Sequence, residues 1–217
     1  MREVAPDVWQ LDGLPQNSIN QYVVGDVLID AGVAFNHKKI VAQAREAGVK
    51  AHALTHAHID HYGGSSHVLR ELDVPMWVGE KDIPAVEIGK QVGRIPGRGE
   101  RMIWSGCKPC KVDRALNEGD EVAGFEVLFT PGHSPGHISF WRESDRVLIC
   151  GDVMWGYNPW LLFGKPREPF PSFSPDPVEN RRSARRLAEL RPEVVCFGHG
   201  PVMRDPDKFA AAVAKLA

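Results

Sequence analysis

Three histidines and an aspartate crowd into one short segment, Thr55-His56-Ala57-His58-Ile59-Asp60-His61, directly after the run 51–54. The run reads as a strand, and the stretch through Val68, Leu69 and Leu72 beyond Gly63-Gly64 reads as a helix closed by Pro75. Strand, ligand-rich loop, helix is the order of layered α/β folds, whose sites are commonly built at strand exits. In an extended or looped backbone, residues two apart project to one side, so His56 and His58 can converge on one metal ion. Asp60 and His61 project differently and can serve a second ion beside it. A helical H-E-x-x-H site needs its histidines at i and i+4, a spacing these residues do not have.

The remainder of the chain supplies more strand exits. Strands are expected at 8–11, 19–24 and 27–29, the last two joined by Gly25-Asp26, a strong hairpin signal. Ile40, Val41 and Ala44 mark a helix ending near Gly48. Strands return at 122–130, 138–141 and 147–150, followed by a helix at 178–190, a strand at 194–197 and a last helix at about 206–216. Residues 79–118, with several glycines and prolines, read as a helix and a long loop. Both halves share the order meander, helix, strand, which implies two sheets packed face to face between outer helices. The expected class is α/β (α+β), with residues 1–217 forming one domain.

Three exits carry further ligand types. His133 lies in Thr130-Pro131-Gly132-His133-Ser134-Pro135-Gly136, Asp152 in Cys150-Gly151-Asp152, and His199 in Phe197-Gly198-His199-Gly200. Two imidazoles on one ion need a third protein ligand and an open position to make a catalytic rather than a structural zinc site, and His133 is the natural third. His37, His52, His67 and His137 occupy no such position and are expected at the surface or in support of the ligands.

The ordered pattern H-x-H-x-D-H, a later histidine, a later aspartate and a final histidine resembles the metallo-β-lactamase-fold hydrolase superfamily over nearly the whole chain. The resemblance implies a four-layer αββα sandwich of two mixed sheets. Residue by residue it implies that His56, His58 and His133 hold one metal ion, that Asp60, His61 and His199 hold the other, and that Asp152 bridges them. Five imidazoles and two carboxylates suit two zinc ions, with iron or manganese chemically acceptable. Two ions sharing a hydroxide would bring the pKa of water down to about 7. Asp60 is then expected to be catalytic as well as a ligand, orienting the hydroxide, and Tyr157 is a candidate oxyanion donor.

Intact Asp60 and Asp152 look more like the thioesterase, lactonase and phosphodiesterase branches than true β-lactamases. The pattern is also similar to the catalytic domain of glyoxalase II, a glutathione thioesterase. The chain ends at Ala217, soon after His199, without the C-terminal helical domain that binds glutathione there, and Val153-Met154-Trp155-Gly156-Tyr157 departs from the glyoxalase II pattern. Glutathione is therefore not the expected substrate. The expected reaction is hydrolysis of a small-molecule ester, thioester or lactone, with a mononuclear iron persulfide dioxygenase or a phosphodiesterase as alternatives. Trp155, Tyr157, Trp160, Leu161, Leu162, Phe163, Phe170 and Phe173 read as a loop walling the site, with core packing or a homodimer contact as the other uses.

Composition narrows the partners. With 43% hydrophobic and 25% charged residues and a net charge of -2, the chain fits neither disordered nor fibrous classes and gives no ground for a nucleic-acid partner. The basic stretch from Lys90 to Arg114 reads as a solvated face. No apolar run approaches the roughly 18 residues of a membrane span, and residues 1–10 lack a signal-peptide core, so a cytoplasmic location is expected. Cys150 and Cys196 end apolar runs and are expected in the core, and Cys107-Lys108-Pro109-Cys110 reads as a loop.

Overall fold

The strands are short and mostly apolar on alternate or on both faces, and two main sheets with their flanking helices arrange themselves around that pattern. The computed structural model describes residues 1–13, 15–95, 99–104, 107–158 and 163–216, with backbone alone at 92–95 and 99–104. Strands β1 (Arg2–Ala5), β2 (Val8–Gln10), β3 (Tyr22–Val24) and β4 (Val27–Ile29) pair antiparallel in sequence order. Helix α1 (His37–Glu46) crosses to β5 (Ala51–Ala53), which lies parallel to β4. Helices α2 (Ile59–Tyr62) and α3 (Ser65–Leu72) lead to β6 (Met76–Gly79), parallel to β5. After α4 (Ile83–Glu87) and a separate hairpin of β7 (Lys90–Ile95) and β8 (Gly99–Trp104), strand β9 (Arg114–Leu116) closes a seven-stranded mixed sheet ordered β1-β2-β3-β4-β5-β6-β9.

The second sheet contains β10 (Glu121–Val122), β11 (Phe125–Phe129), β12 (Ile138–Arg142), β13 (Val147–Gly151) and β14 (Val194–Phe197) in sequence order. Its one parallel pair, β13 with β14, is bridged by helix α5 (Pro177–Glu189), and α6 (Pro206–Val213) follows. Asp176 and Asp205 start these two helices by accepting from the backbone N–H of Glu179 and Lys208, each followed by a proline whose missing N–H costs nothing there.

Period-two alternation assigns each strand residue to a layer. Val27 and Ile29 of β4, Phe125 and Val127 of β11, Ile149 of β13 and Cys196 of β14 meet in one core between the sheets. Their intervening neighbours face outward: Leu28 packs with Ile40, Val41 and Val68 from α1 and α3, while Leu148 and Val195 pack with Ala184, Leu187, Phe209 and Val213 from α5 and α6. Helices thus cover both outer faces, the αββα order that the sequence predicts. Burial of each large side chain such as Phe140 or Phe197 stabilises by about 1.5–3 kcal/mol. Cys150 and Cys196 are fully buried, as expected.

Three local expectations change. Residues 79–118 hold a short helix, a hairpin and β9 rather than one helix and a long loop. The expected strand 122–130 is broken by a tight turn at Ala123 and Gly124, whose φ values of 48° and 80° join β10 to β11. The 19–24 strand is regular only from Tyr22, and β1 is an additional edge strand.

Candidate metal centre

Both sheets present the C-terminal ends of their parallel strands at one edge. There, Ile138 N–H donates across the sheets to the Thr55 carbonyl, and Asn20 ties the first sheet to the second by donating from its side chain to the carbonyls of Phe197 and Gly200. The exit of β5 delivers His56 and His58 in extended backbone, with His58 at φ -107°, ψ 153° capping α2, whose single turn carries Asp60 and His61. The exits of β11, β13 and β14 deliver His133, Asp152 and His199. Gly132 (φ 126°) holds the His133 loop against α5, where a Cβ would meet Asn180 N at 2.1 Å.

All seven candidate ligands come together. The rings of His56, His58 and His133 stand edge to face with centroids 4.5–4.7 Å apart. Asp60, His61 and His199 make a second cluster, and Asp152 lies between the two, with Oδ2 3.5 Å from His133 Nε2 and 3.2 Å from His199 Nε2, and Oδ1 3.5 Å from His61 Nε2. Within each of the groups His56/His58/His133, His56/His61/Asp152 and Asp60/His61/His199, the ligand atoms lie within 4.8 Å of one another. Asp60 Oδ2 lies 3.2 Å from His199 Nε2.

The opposite edges of the His56, His61, His133 and His199 rings are already engaged. His61 Nδ1 donates to Asp30 Oδ2 (2.8 Å), His56 Nδ1 to Thr55 Oγ1 (3.0 Å) and His199 Nδ1 to the Ser18 carbonyl, while His133 Nδ1 lies 3.1 Å from Ser174 Oγ. Thr55 in turn donates its hydroxyl and its backbone N–H to Asp30. Fixing Nδ1 this way orients Nε2 inward, the arrangement that metal-binding histidines use. Among the described residues, the buried atoms His56 Nε2, His61 Nε2, His133 Nε2, His199 Nε2 and Asp152 Oδ1 have no hydrogen-bond partner, and all five face this centre. A buried orphan costs about 1–3 kcal/mol. Divalent cations would satisfy all five at once, so these residues fit the group that the donor chemistry implies.

Electrostatics divides the cluster. Burial, reinforced by neighbouring imidazoles, pushes His56 and His133 well below the ordinary imidazole range. Burial acts the same way on His61 and His199, but Asp152 with Asp30 and Asp60 outweighs it at His61, and Asp152 with Asp60 lifts His199 to about 10. Burial would raise Asp60 and Asp152, yet the facing histidines hold both below the usual carboxylate range.

Several supporting residues escape the sequence pattern. Asp82, fully buried on the turn before α4, accepts from Ala57 N–H, Ser134 hydroxyl and Gly136 N–H, tying the His58 loop to the His133 loop. Trp155 donates its indole N–H to Asp152 Oδ2 at 2.7 Å and packs with Phe170, Phe173 and His199, which sets that part of the aromatic segment beside the centre, while Phe163 is exposed to solvent. Trp160, Leu161 and Leu162 lie outside the described residues. His137 supports the site, accepting from Asp152 N–H at Nε2 and donating from Nδ1 to Thr130; its burial lowers it to about 3. His52 is fully buried between Leu28 O and Ser65 Oγ. The Tyr157 hydroxyl donates to the Asn17 carbonyl at 2.6 Å, so an oxyanion role requires that bond to open. Cys110 is buried, and its thiol is raised to about 11, away from thiolate chemistry. In the basic stretch, Lys111 pairs with Asp113 and Arg114 lies over Trp77, while Arg98 and the side chains of Arg94 and Arg101 lie outside the described residues.

Two mixed sheets between helices, with histidines and carboxylates gathered at one edge, define a protein built to hold divalent metal. Residues 14–199 match the Metallo-beta-lactamase superfamily, and the chain belongs to it. The Probable metallo-hydrolase YflN of Bacillus subtilis is 30% identical over 214 residues, covering 88% of this chain and 81% of that one. A hydroxyacylglutathione hydrolase of Bdellovibrio bacteriovorus is 26% identical over 71% of this chain but only 50% of its own length. Among solved structures, the di-iron-bound form of TTHA1623 is 30% identical, covers 93% of this chain and 96% of that one, and superposes with a TM-score of 0.66. Among the described residues, no helix is long and apolar enough to cross a membrane.

Proposed function

We propose that the chain, residues 1–217 acting as one metallo-β-lactamase-like domain, is a dinuclear metallo-hydrolase of small-molecule esters, thioesters or lactones. The observation that carries this reading is the convergence of the buried, unpartnered Nε2 atoms of His56, His61, His133 and His199 on Asp152. His56, His58 and His133 would hold one ion, Asp60, His61 and His199 the second, and Asp152 would bridge them. The donor set suits zinc, and the di-iron form of TTHA1623 supports iron as the other candidate. When bound, the ions supply Lewis acidity and acidify water into a nucleophile at neutral pH.

The chain's own residues divide the remaining work. Asp60, about 30% exposed where Asp152 is about 3%, is the carboxylate that solvent and substrate can reach, so it is the one that accepts a proton from, and orients, the attacking water. Asp152, held by Trp155 and His137, stays fixed and ionised. Trp155, Phe170 and the partly exposed Phe173 offer an apolar wall that excludes water from one side and suits an acyl or lactone carbon chain. The family relation to hydroxyacylglutathione hydrolases supports a thioester within this class.

Metal analysis of the purified chain, followed by turnover on an ester, thioester, lactone and phosphodiester panel with and without chelator, tests the reading. Two metal equivalents and chelator-sensitive hydrolysis of a carboxylic ester, thioester or lactone are expected. Activity in a metal-free preparation, or oxygen consumption on a persulfide without hydrolysis, would overturn it.

A further inference from the structure

Away from the centre, on the outer helical layer, His37 at the start of α1 stacks on His67 of α3, with ring centroids 3.7 Å apart and planes 17° from parallel. Glu71 lies one helical turn beyond His67, at i+4 on the same face, with Oε1 3.8 Å from His67 Nδ1. Ligand atoms of all three lie within 4.8 Å of one another. We infer that His37, His67 and Glu71 form a separate transition-metal site that clamps α1 to α3.

The hydrogen bonds around the two rings select the donor atoms. His37 Nδ1 faces the Ala34 carbonyl at 2.7 Å; a carbonyl only accepts, so the ring proton is on Nδ1 and the lone pair is on Nε2. A ligating histidine usually donates its other ring N–H to just such a carbonyl. His67 Nδ1 accepts from the Arg70 guanidinium at 2.9 Å, which places its lone pair on Nδ1, beside Glu71. The stacked planes must open for the two lone pairs to converge, and with ligand atoms of all three residues already within 4.8 Å of one another, side-chain rotation would bring both onto one ion with the carboxylate. Two imidazoles and a carboxylate with an open fourth position is a donor set for zinc or nickel rather than for calcium or magnesium. Burial, His37, Arg70 and Lys108 together lower His67, keeping the ring neutral and able to ligate at pH 7.

Arg70 is the competitor. It occupies His67 Nδ1 and also pairs with Glu71 Oε1 at 3.0 Å, so an ion must displace the guanidinium from both. Affinity is therefore expected to be weaker than at the main centre, and removal of Arg70 is expected to strengthen it. A bound ion would join two helices that contact each other directly in the outer layer, and so raise the stability of the chain.

The test is calorimetric titration of the zinc-loaded, desalted chain with Ni2+, with the retained zinc measured afterwards. One Ni2+ per chain is expected beyond the zinc content, weakened at least tenfold in His67→Ala and in Glu71→Gln, and tightened in Arg70→Ala. Ni2+ should raise the Tm of the unsubstituted chain and not that of His67→Ala. Hydrolytic turnover should be the same in all three variants, and the result stands apart from the main centre because it is read as a difference between variants. Equal Ni2+ binding by the unsubstituted chain and His67→Ala, or no binding by either, overturns the site. Unchanged or weaker binding in Arg70→Ala overturns His67 Nδ1 as the donor.

Discussion

The indole Nε1 of Trp155 donates to Asp152 Oδ2 at 2.7 Å, and both residues are almost completely buried. The bond occupies one lone pair of the carboxylate proposed to bridge the two ions and fixes the plane in which the others lie. Trp155→Phe keeps the apolar wall against His199 and removes only the donor. Loss of such support costs roughly 10–100-fold in metal affinity or activity. We expect kcat/KM to fall in that range, checked by steady-state kinetics alongside metal content. Unchanged values for both would show that the indole bond does not set the orientation of the Asp152 carboxylate.

Asp30 plays the corresponding part for His61. It closes β4 at φ 60° and gathers three donors: Thr55 N–H, Thr55 hydroxyl and His61 Nδ1. Asp30→Asn preserves the shape but turns an N–H toward one of those donors. A fall of about 1–3 kcal/mol in unfolding free energy is expected from the donor left unpaired. A 10–100-fold loss of metal affinity confined to the Asp60, His61 and His199 group should accompany it. Denaturant titration and elemental analysis read the two effects separately, and equal loss of both metals would count against the assignment.

His133, Asp152 and His199 were legible because each follows an apolar strand in a glycine-bearing turn, and His56, His58, Asp60 and His61 by their density after one strand, while the division of all seven between two ions came from the family resemblance. Asp30 carries a similar mark in Asp30-Ala31-Gly32, but its role depends on β4 lying parallel to β5, which no local pattern specifies. Asp82 was beyond reach for a sharper reason: its partners Ala57, Ser134 and Gly136 are 25, 52 and 54 residues away in sequence. The β7–β8 hairpin was missed because Lys90, Gln91, Gly93 and Arg94 show no apolar alternation, and the β10–β11 turn because alanine rarely takes the positive φ found at Ala123. Layer order, by contrast, was carried by the repeated order of meander, helix and strand and by the family resemblance, which is why the αββα arrangement was readable while strand bounds were not.

Gly198 shows a constraint of contact rather than of backbone conformation. A methyl group there would sit 2.1 Å from Asp152 Oδ1 and 2.7 Å from His61 Cε1. Neither neighbour can yield without moving a candidate ligand, since His61 is pinned by Asp30 and Asp152 by Trp155. Gly198→Ala should therefore fold, as its backbone needs no positive φ, and should lose at least 100-fold in kcat/KM together with part of its metal. Circular dichroism, metal content and turnover measured on one preparation check this. Full activity in the variant would mean that Asp152 does not occupy the bridging position.

Metal uptake should also expel protons. In the metal-free chain, Asp152 and Asp60 lift His199 to about 10 against the effect of burial, and His61 stands well above the ordinary imidazole range for the same reason with Asp30 added. Both rings are therefore cations at pH 7, whereas burial keeps His56 and His133 neutral. An ion needs the Nε2 lone pair, so filling the Asp60, His61 and His199 position at pH 7 should release about two protons, and filling the position at His56 and His133 should draw none from those two rings. The sign follows directly: lowering the pH raises proton competition at His61 and His199, so the second ion leaves first on acidification. Calorimetric titrations of zinc in buffers of different ionisation enthalpy count the protons. An enthalpy independent of buffer would show that these two histidines are already neutral, and that the carboxylates around them do not set their charge.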